Sequence, residues 1–432
     1  MPTHSSHTHC QVAQADPQAK TWQRVCLAPP ATDRQSGRKK IAEPKTAVWR
    51  NGWCSGKSNS SNSNKYLCWF DSEVLLNLPL RQAAISLHSF YTLQIMLKTS
   101  IIILIALLGL SCQRKDPNLN LYKIQGLAQG TYYAITYYHE SEVVTKAHID
   151  SLLEAFNYSL SVFNPNSIIS RVNRNEEVVI DDWFRDVFQR SRTIAEQSGG
   201  AFDFSVGPLV NAWGFGFTER LDMNASIVDS LMQYVGYRYF RLEGNRVVKK
   251  HPNSKIDFNA IAQGYAVDVM ADYLTSKGIR YLLVDLGGEV LARNTKPNGE
   301  KWRVGIEKPA ASPDDARQLK AIAAITNKAI ATSGNYRRFY VVDNQRFSHT
   351  ISPTTGFPVN HSLLSASVMA NNCMTADAWA TAFMVMGLEE SIRMVEKQTE
   401  LDAFFIYSSP DGQFKTWASD GFKSVIVHII EE

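Results

Sequence analysis

Several features that mark common protein classes are missing from this 432-residue sequence. No apolar run approaches the roughly 18 to 20 residues that a membrane-spanning helix needs, which excludes a polytopic membrane protein. The 45 basic and 41 acidic residues nearly balance. The chain therefore lacks the strong positive charge that is typical of nucleic-acid binding, and we expect no nucleic-acid partner. A hydrophobic content of 44% with 20% charged residues is instead typical of a folded globular protein.

Cysteine is scarce in the part of the chain where a fold is expected. Four of the six cysteines lie in residues 1–95, and only Cys112 and Cys373 follow them. Two cysteines cannot build a disulfide framework or a zinc site made of cysteines. The later part of the chain must therefore be stabilised by its core.

Residues 1–95 differ from the rest of the sequence. They hold 11 Lys and Arg against 5 Asp and Glu, a net charge of +6, whereas the remaining 337 residues carry −2. They also contain a Ser/Asn tract at 58–64 and show no sustained helical or strand periodicity. We expect residues 1–95 to be an unstructured, mis-assigned upstream extension rather than a domain.

A segment typical of a signal peptide follows, over residues 96–112. It has a Lys-containing start at Met96, the apolar run 101–110 and a small residue, Ser111, before Cys112. Since secretory signals act at the N-terminus, we hypothesise that translation begins at Met96. The alternative is an internal buried helix, for which ten apolar residues are short.

The position of Cys112 directly after the apolar run indicates a lipoprotein with a lipid on Cys112. Residues 113–120 would then be a short tether. Gly109 stands where the usual lipoprotein motif has an aliphatic residue, so plain secretion stays open as an alternative. We expect an exported protein of the bacterial cell envelope, anchored to a membrane through Cys112, most readily on the periplasmic side of the inner membrane.

The remaining chain mixes strand and helix patterns and shows no repeat or low-complexity tract. Strands are predicted at 132–138, 178–180, 280–284, 302–306, 329–332 and 339–342. Helices are predicted at 148–156, 183–197, 376–386 and 388–397. The mixture predicts an α/β or α+β fold.

Five clusters combine glycine or other small residues with a polar side chain, a composition typical of loops that let a ligand approach the backbone. They are residues 129–131; 199–203 with 207–208 and 213–215; 257–268; 332–336 with 348–356; and 375–381. Taken alone, the first two are more typical of turns than of sites. The third is typical either of an ordinary helix start or of a site where backbone N–H groups receive a phosphate or nucleotide edge.

Two clusters carry side chains suited to catalysis. His349 lies among hydroxyl and turn residues rather than in an apolar stripe, so it can accept or relay a proton. Asp377 and Thr381 are four residues apart, which places their oxygens on one face of a helix. Such hard oxygen ligands suit Mg²⁺ better than zinc, although an Asp near a helix start is also an ordinary feature.

In their order along residues 121–430, these clusters resemble the ApbE family of FAD:protein FMN transferases. The resemblance is carried by Gly130-Thr131, Gly200-Ala201-Phe202-Asp203, Asp257 through Asp268, Asp285-Leu286-Gly287-Gly288, Thr332 through Tyr336, His349 through Gly356, and Ala376-Asp377-Ala378 with Thr381. It implies an α+β fold of two parts, related to the T-fold, with a ligand cleft between the parts.

The resemblance also implies a reaction. FMN is moved from FAD, the substrate, to a Thr or Ser hydroxyl of an acceptor protein in a motif of the type Asp-x-x-Ser-Gly-Ala-Thr, and AMP is released. Acceptors would be extracytoplasmic electron-transfer subunits such as relatives of the sodium-pumping NADH:quinone oxidoreductase (Nqr) and Rnf complexes.

The family likeness assigns roles by position. Residues expected to contact FAD are Gln129, Phe163, Ala201, Phe202, Asp203, Asp257, Gln263 and Ile351. Mg²⁺ is expected on the side chains of Asp377 and Thr381 and the carbonyl of Ala260, and His349 is the expected proton acceptor.

Three positions depart from the family pattern. Gln263 stands where a Lys or Glu is common, Glu289 where Asp or Asn is frequent, and Ser352 where an Asp usually precedes the proline. The loss of charge at Gln263 would weaken the hold on a phosphate, and Ser352 removes a carboxylate partner for His349.

Two other functions stay open from the sequence. Water can replace the acceptor hydroxyl, which would give a metal-dependent FAD pyrophosphatase that forms FMN and AMP. A flavin-binding lipoprotein without chemistry is the third reading, although the Asp377 and Thr381 pair has no purpose in a pure binder.

Overall fold

The computed structural model describes residues 94, 96–100, 118–216, 219–309, 318–335, 339–342 and 345–430. The chain divides between Ile95 and Met96, and the elements named below all belong to the second unit. Residues 96–100 are helical. Cys112, the apolar run 101–110 and nearly all of the predicted extension 1–95 lie outside the described residues. In the described ranges, no helix combines the length and apolar character required to span a membrane.

Strands and helices alternate irregularly along the described chain. The strands are β1 (Asn120–Ala128), β2 (Thr131–His139), β3 (Phe240–Glu243), β4 (Arg246–Lys249), β5 (Tyr281–Leu286), β6 (Glu289–Arg293), β7 (Trp302–Glu307), β8 (Leu319–Ile325), β9 (Lys328–Gly334), β10 (Phe339–Val342), β11 (Gln345–Ser348), β12 (Leu363–Ala370), β13 (Asp402–Ser408), β14 (Phe414–Ala418) and β15 (Ile426–Ile429). The helices are α1 (Lys146–Leu160), α2 (Ile168–Asn173), α3 (Asp182–Gln197), α4 (Gly207–Ala212), α5 (Ala225–Met232), α6 (Ala262–Ser276), α7 (Cys373–Met386), α8 (Leu388–Lys397) and α9 (Asp420–Lys423), with a 3-10 turn at Tyr237–Tyr239.

An antiparallel sheet of eight strands organises these elements, in the order β1-β2-β5-β6-β9-β12-β13-β14. A second sheet has the order β15-β8-β7, and β3-β4 and β10-β11 form two hairpins. Helices and strands are mixed with antiparallel pairing, so the predicted α+β class is confirmed.

The eight-stranded sheet is covered on both faces because its strands alternate. In β5, Leu282, Val284 and Leu286 are buried in the large core formed with the helices. A second core lies on the opposite face of this sheet and includes Val290 and Ala292 of β6 and Trp302 of the three-stranded sheet. Alternate residues of a strand point to opposite faces, so the inner strands of the sheet contribute to both cores.

One predicted strand is wrong. Residues 178–180 belong to no strand or helix. The Ile180 N–H donates instead to the carbonyl of Asn245 in the β3–β4 turn, at 2.9 Å. The β-branched residues there are explained by burial of Ile180 in the large core rather than by strand pairing.

Two polar side chains, Asn372 and the buried Asp268, fix the start of α7. The Asn372 side chain accepts a hydrogen bond from the Thr375 N–H. The two carboxylate oxygens of Asp268, on α6, accept hydrogen bonds from the N–H groups of Cys373 and Met374 at 2.8 Å each. These bonds satisfy helix N–H groups that have no partner within the helix. They also tie the first turn of α7 to the middle of α6.

Candidate functional site

A cavity of about 730 Å³ lies where one end of the large sheet meets α6 and α7. Its walls include the β5–β6 turn at Gly287 and Gly288, the end of β9, and the loops around 201–206 and 349–353. Both glycines have positive φ, +66° and +111°, which a two-residue hairpin turn of this kind requires. The size is that of a site for an organic ligand.

Ten of the twelve residues predicted for the site line this cavity. They are Ala201, Phe202, Asp203, Asp257, Ala260, Gln263, His349, Ile351, Asp377 and Thr381. The other two do not. Gln129 occupies the turn between β1 and β2 with a φ of +51°, and Phe163 has 64% of its surface exposed.

Close packing of α6 on α7 sets the geometry of the site. A Cβ added at Gly264 would lie 2.4 Å from the Cys373 carbonyl oxygen and 2.7 Å from the Asp377 Cβ. Only glycine therefore permits this approach. It allows the Gly264 N–H to donate to Asp377 Oδ2 at 2.9 Å. The Asp377 carboxylate is thereby held against the first turn of α6.

This contact leaves oxygen atoms available for a cation. The Gly264 N–H, four residues after Ala260, bonds Asp377, so no N–H of a described residue bonds the Ala260 carbonyl. In the same part of the chain, no group donates a hydrogen bond to Asp377 Oδ1. Thr381 Oγ1, one turn further along α7, lies 3.2 Å from Ser333 Oγ of β9. A carboxylate, a carbonyl and a hydroxyl are a suitable donor set for Mg²⁺.

Electrostatics at this point also favour a cation. Burial raises the pKa of Asp377, and burial together with the nearby charge of Asp377 raises the pKa of Glu289. Buried carboxylates without a positive partner are costly, and a divalent ion offsets that cost. Within the described ranges, no three His, Cys or acidic side chains are grouped as a metal site. A cation here therefore depends on the hydroxyl and the carbonyl.

Asp203 and Asp257 differ in how much of each carboxylate is available. Asp203 accepts hydrogen bonds from the N–H and hydroxyl of Ser205 and from the Tyr237 N–H, at 2.6 to 2.8 Å. It therefore holds its own loop together, although it lines the cavity. Asp257 accepts one bond, from the Asn259 N–H at 2.8 Å, and burial raises the pKa of its carboxyl. Asp257 thus keeps an acceptor for a ligand.

His349 and Ile351 come to the cavity on the segment after β11. The His349 ring is half-buried, with its centroid 6.3 Å from that of Phe215. Ile351 is buried and forms an isolated antiparallel bridge with Pro358. Ser352 Oγ accepts a hydrogen bond from the Thr355 N–H at 3.2 Å. Ser352 therefore stabilises the 352–355 turn.

Comparison with known proteins agrees with this arrangement. The sequence profile described as the ApbE family matches residues 129–405, which include every cavity-lining residue named above. The chain belongs to the ApbE family. The FAD:protein FMN transferase of Vibrio cholerae is 35% identical over 73% of this chain and 95% of its own length. That of Salmonella typhimurium is 31% identical over 70% of this chain and 89% of its own length.

Solved structures of ApbE proteins have the same fold. The flavin transferase ApbE of Vibrio cholerae superposes with a TM-score of 0.64 at 35% identity, covering 71% of this chain and 99% of that one. The flavinyl transferase ApbE of Pseudomonas stutzeri, in its apo form, gives 0.64 at 28% identity, over 72% and 98%. The ApbE resemblance inferred from the sequence motifs is confirmed.

The ApbE motifs did not reveal every residue of the cavity. Arg303 and Glu307, on one face of β7, line it, as does Tyr132 of β2. The alternation of buried and exposed residues in β7 predicts that Arg303 and Glu307 share a face. It does not show that this face borders a cavity, because the other wall comes from distant parts of the sequence.

Proposed function

We propose that this ApbE-family chain is an enzyme that transfers FMN from FAD to a hydroxyl of an acceptor protein and releases AMP. Relatives that match most of this chain are named FAD:protein FMN transferases. The observation that carries the proposal is the single cavity that unites Asp377, Thr381 and Ala260 with Asp257 and His349.

The balance of the reaction follows from the two molecules. The acceptor hydroxyl oxygen forms a bond to the phosphorus of the FMN half, and the bond from that phosphorus to the AMP oxygen breaks. The hydroxyl proton must leave. We assign its removal to His349, which lines the same cavity, and take the acceptor residue to be Thr or Ser.

The charges along the cavity indicate what the substrate requires. Carboxyl groups line it at Asp203, Asp257, Asp285, Glu289, Glu307 and Asp377. The pyrophosphate of FAD is also negative, so its binding depends on positive charge. Arg303 is the only lysine or arginine in the described lining, and it makes no hydrogen bond or ion pair there.

We assign the cation site to Asp377, Thr381 and the Ala260 carbonyl, with Mg²⁺ as the ion. When bound, Mg²⁺ would neutralise charge on the phosphoryl oxygens and align the reacting groups for in-line displacement. The protein's own part is to hold Asp377 through Gly264 and to bring Thr381 alongside it.

The acceptor and the location are inferred from the sequence alone. The signal-like segment 96–112 supports an exported protein anchored by a lipid on Cys112. An extracytoplasmic electron-transfer subunit related to Nqr or Rnf proteins is the acceptor that such a location favours. Metabolic labelling with palmitate tests the anchor, since label on the wild type and none on Cys112→Ser is the expected result.

The transfer itself is tested with FAD, Mg²⁺ and an acceptor domain, by measuring AMP release and the mass of the acceptor. The wild type should release AMP and add FMN to the acceptor, and EDTA or Asp377→Ala should abolish both. Asp229→Ala, an exposed aspartate on α5, is the matched control and should leave the rate unchanged. Wild-type turnover by Asp377→Ala would refute the cation site. AMP and free FMN without an adduct would show hydrolysis instead of transfer.

A further inference from the structure

Gln263 and Glu289 form a buried contact at the edge of the cavity, and both line it. Gln263 is the second residue of α6, and Glu289 is the first residue of β6. The Gln263 Nε2 group donates one hydrogen bond to the Leu286 carbonyl at 3.0 Å and another to Glu289 Oε2. An amide nitrogen has two hydrogens, so both donors of this side chain are used.

These two bonds fix the orientation of the amide. If the amide flipped, its oxygen would face the Leu286 carbonyl oxygen, which has no hydrogen to donate. The neighbouring turn restricts it further, because a Cβ added at Gly287 would lie only 2.7 Å from Gln263 Nε2. Gln263 Oε1 is left without a donor from any residue of the described chain. It is therefore a fixed acceptor in the cavity wall.

Glu289 maintains this arrangement at a cost. It is 9% exposed, and no Lys or Arg of the described chain forms an ion pair with it. Gln263 is the only side chain there that donates a hydrogen bond to it. Burying a carboxyl group for a single side-chain partner is unfavourable for stability, which points to a role in the site.

We propose that Glu289 is a positioning residue for FAD, because it fixes Gln263 so that the amide oxygen accepts a hydrogen bond from a donor on FAD. The inference rests on the proposed function, which places FAD in this cavity. The donors of FAD are the ribityl and ribose hydroxyls, the adenine amine and the flavin imide. Its phosphate oxygens only accept, so a fixed acceptor repels them. Gln263 therefore contacts a sugar or a ring of FAD rather than the pyrophosphate.

The test is a double-mutant cycle with the full chain: wild type, Gln263→Ala, Glu289→Ala and the double variant. FAD affinity is measured by flavin fluorescence without Mg²⁺ or acceptor, and kcat and KM for FAD are measured with both. Each single change should weaken FAD binding by about 3- to 10-fold, the effect of one hydrogen bond, with kcat within about twofold. The double variant should bind no more weakly than Gln263→Ala, since Glu289 acts through Gln263.

Glu289→Gln provides the conservative control and keeps the cycle informative if Glu289→Ala is poorly folded. Its carbonyl still accepts from Gln263, so FAD affinity should stay within about twofold of the wild type. Affinity as weak as that of Glu289→Ala would show that the charge matters instead of the hydrogen bond, and would overturn the proposal. Urea unfolding of each variant separates loss of fold from loss of binding.

Three further results would also overturn the inference, and they differ from each other. If Glu289→Ala weakens FAD binding by the same factor in the Gln263→Ala background as in the wild type, Glu289 acts independently of Gln263. If it instead raises the Mg²⁺ concentration for half-maximal activity at unchanged FAD affinity, Glu289 belongs to the cation site. Unchanged FAD affinity in Gln263→Ala would likewise overturn the inference, whereas a wild-type chain that does not bind FAD at all would count against the proposed function itself.

Discussion

Replacing Gly264 with alanine should damage the site through a single methyl group. The new Cβ would lie 2.4 Å from the Cys373 carbonyl oxygen and 2.7 Å from the Asp377 Cβ. Carbon atoms in contact prefer separations of about 3.5 Å or more, so α6 and α7 must move apart by roughly 0.8 Å. One of the clashing atoms is backbone, so a change of rotamer cannot relieve the contact.

The effect on stability combines two opposing terms. Overpacking in a well-packed core costs about 1 to 3 kcal/mol. Alanine in a helix is favoured over glycine by about 1 kcal/mol, which offsets part of that cost. We therefore expect Gly264→Ala to lower the free energy of unfolding by about 0 to 2 kcal/mol.

The effect on activity should be larger. The displaced helix takes with it the Gly264 N–H, which holds Asp377, and the Ala260 carbonyl, which lies two residues before the start of α6. A misplacement of about 1 Å in a catalytic arrangement can cost about 100-fold in rate. We expect AMP release to fall by about that factor, with a higher Mg²⁺ requirement.

The assay compares urea unfolding and AMP release in Gly264→Ala and in Gly207→Ala. Gly207 is the first residue of α4, and its added Cβ would lie 3.4 Å from the Asp257 Cβ, an ordinary contact. The control should therefore stay close to the wild type in stability. Wild-type activity in Gly264→Ala would refute the reasoning, because it would show that the helices separate without moving Asp377.

Two further predictions concern charged groups on α6 and β7. Burial raises the pKa of Asp268 from 3.8 to about 6, so the stability it contributes is present below about pH 4 and is lost as the pH rises through 6. Relative to Asp268→Asn, the wild type should lose about 2 to 3 kcal/mol over that range in urea unfolding, and a difference independent of pH would contradict this. Arg303→Ala should raise the KM for FAD about 3- to 10-fold at low salt, and the increase should be smaller at high salt. The neighbouring substitution Lys301→Ala should leave the KM for FAD unchanged. Equal effects of the two substitutions would show that Arg303 acts only through net charge.

The sequence predicted the parts of the site that depend on local spacing. Asp377 and Thr381 are four residues apart in a stretch with helical pattern, and both line the cavity from α7. The predicted helix 183–197 agrees with α3, where Asp181 accepts the hydrogen bond from the Phe184 N–H that begins the helix. In each case the decisive contacts lie within one or two turns.

Contacts between distant segments were not predictable in this way. Asp203 accepts hydrogen bonds from Ser205 and from the distant Tyr237, and no local pattern indicates the second of these. Its contact with FAD stays a prediction. Arg303 was not singled out, since nothing near it in the sequence indicates a cavity. Hydrogen-bond partners that come from another loop or sheet depend on the fold as a whole.

The glycine and acidic residues that shape the cavity also explain how one fold can hold such a site. Asp268 ties the start of α7 to α6, and Gly264 lets the two helices approach until Asp377 meets the first turn of α6. That same approach crowds the carboxyl groups of Asp377 and Glu289 into a buried place, where burial raises the pKa of each. The packing that positions the oxygen atoms thus makes ionisation of these carboxyl groups costly, and a bound cation offsets that cost. Under the proposed function, a substitution that relaxes this packing should therefore gain stability in the unliganded protein and lose affinity for Mg²⁺.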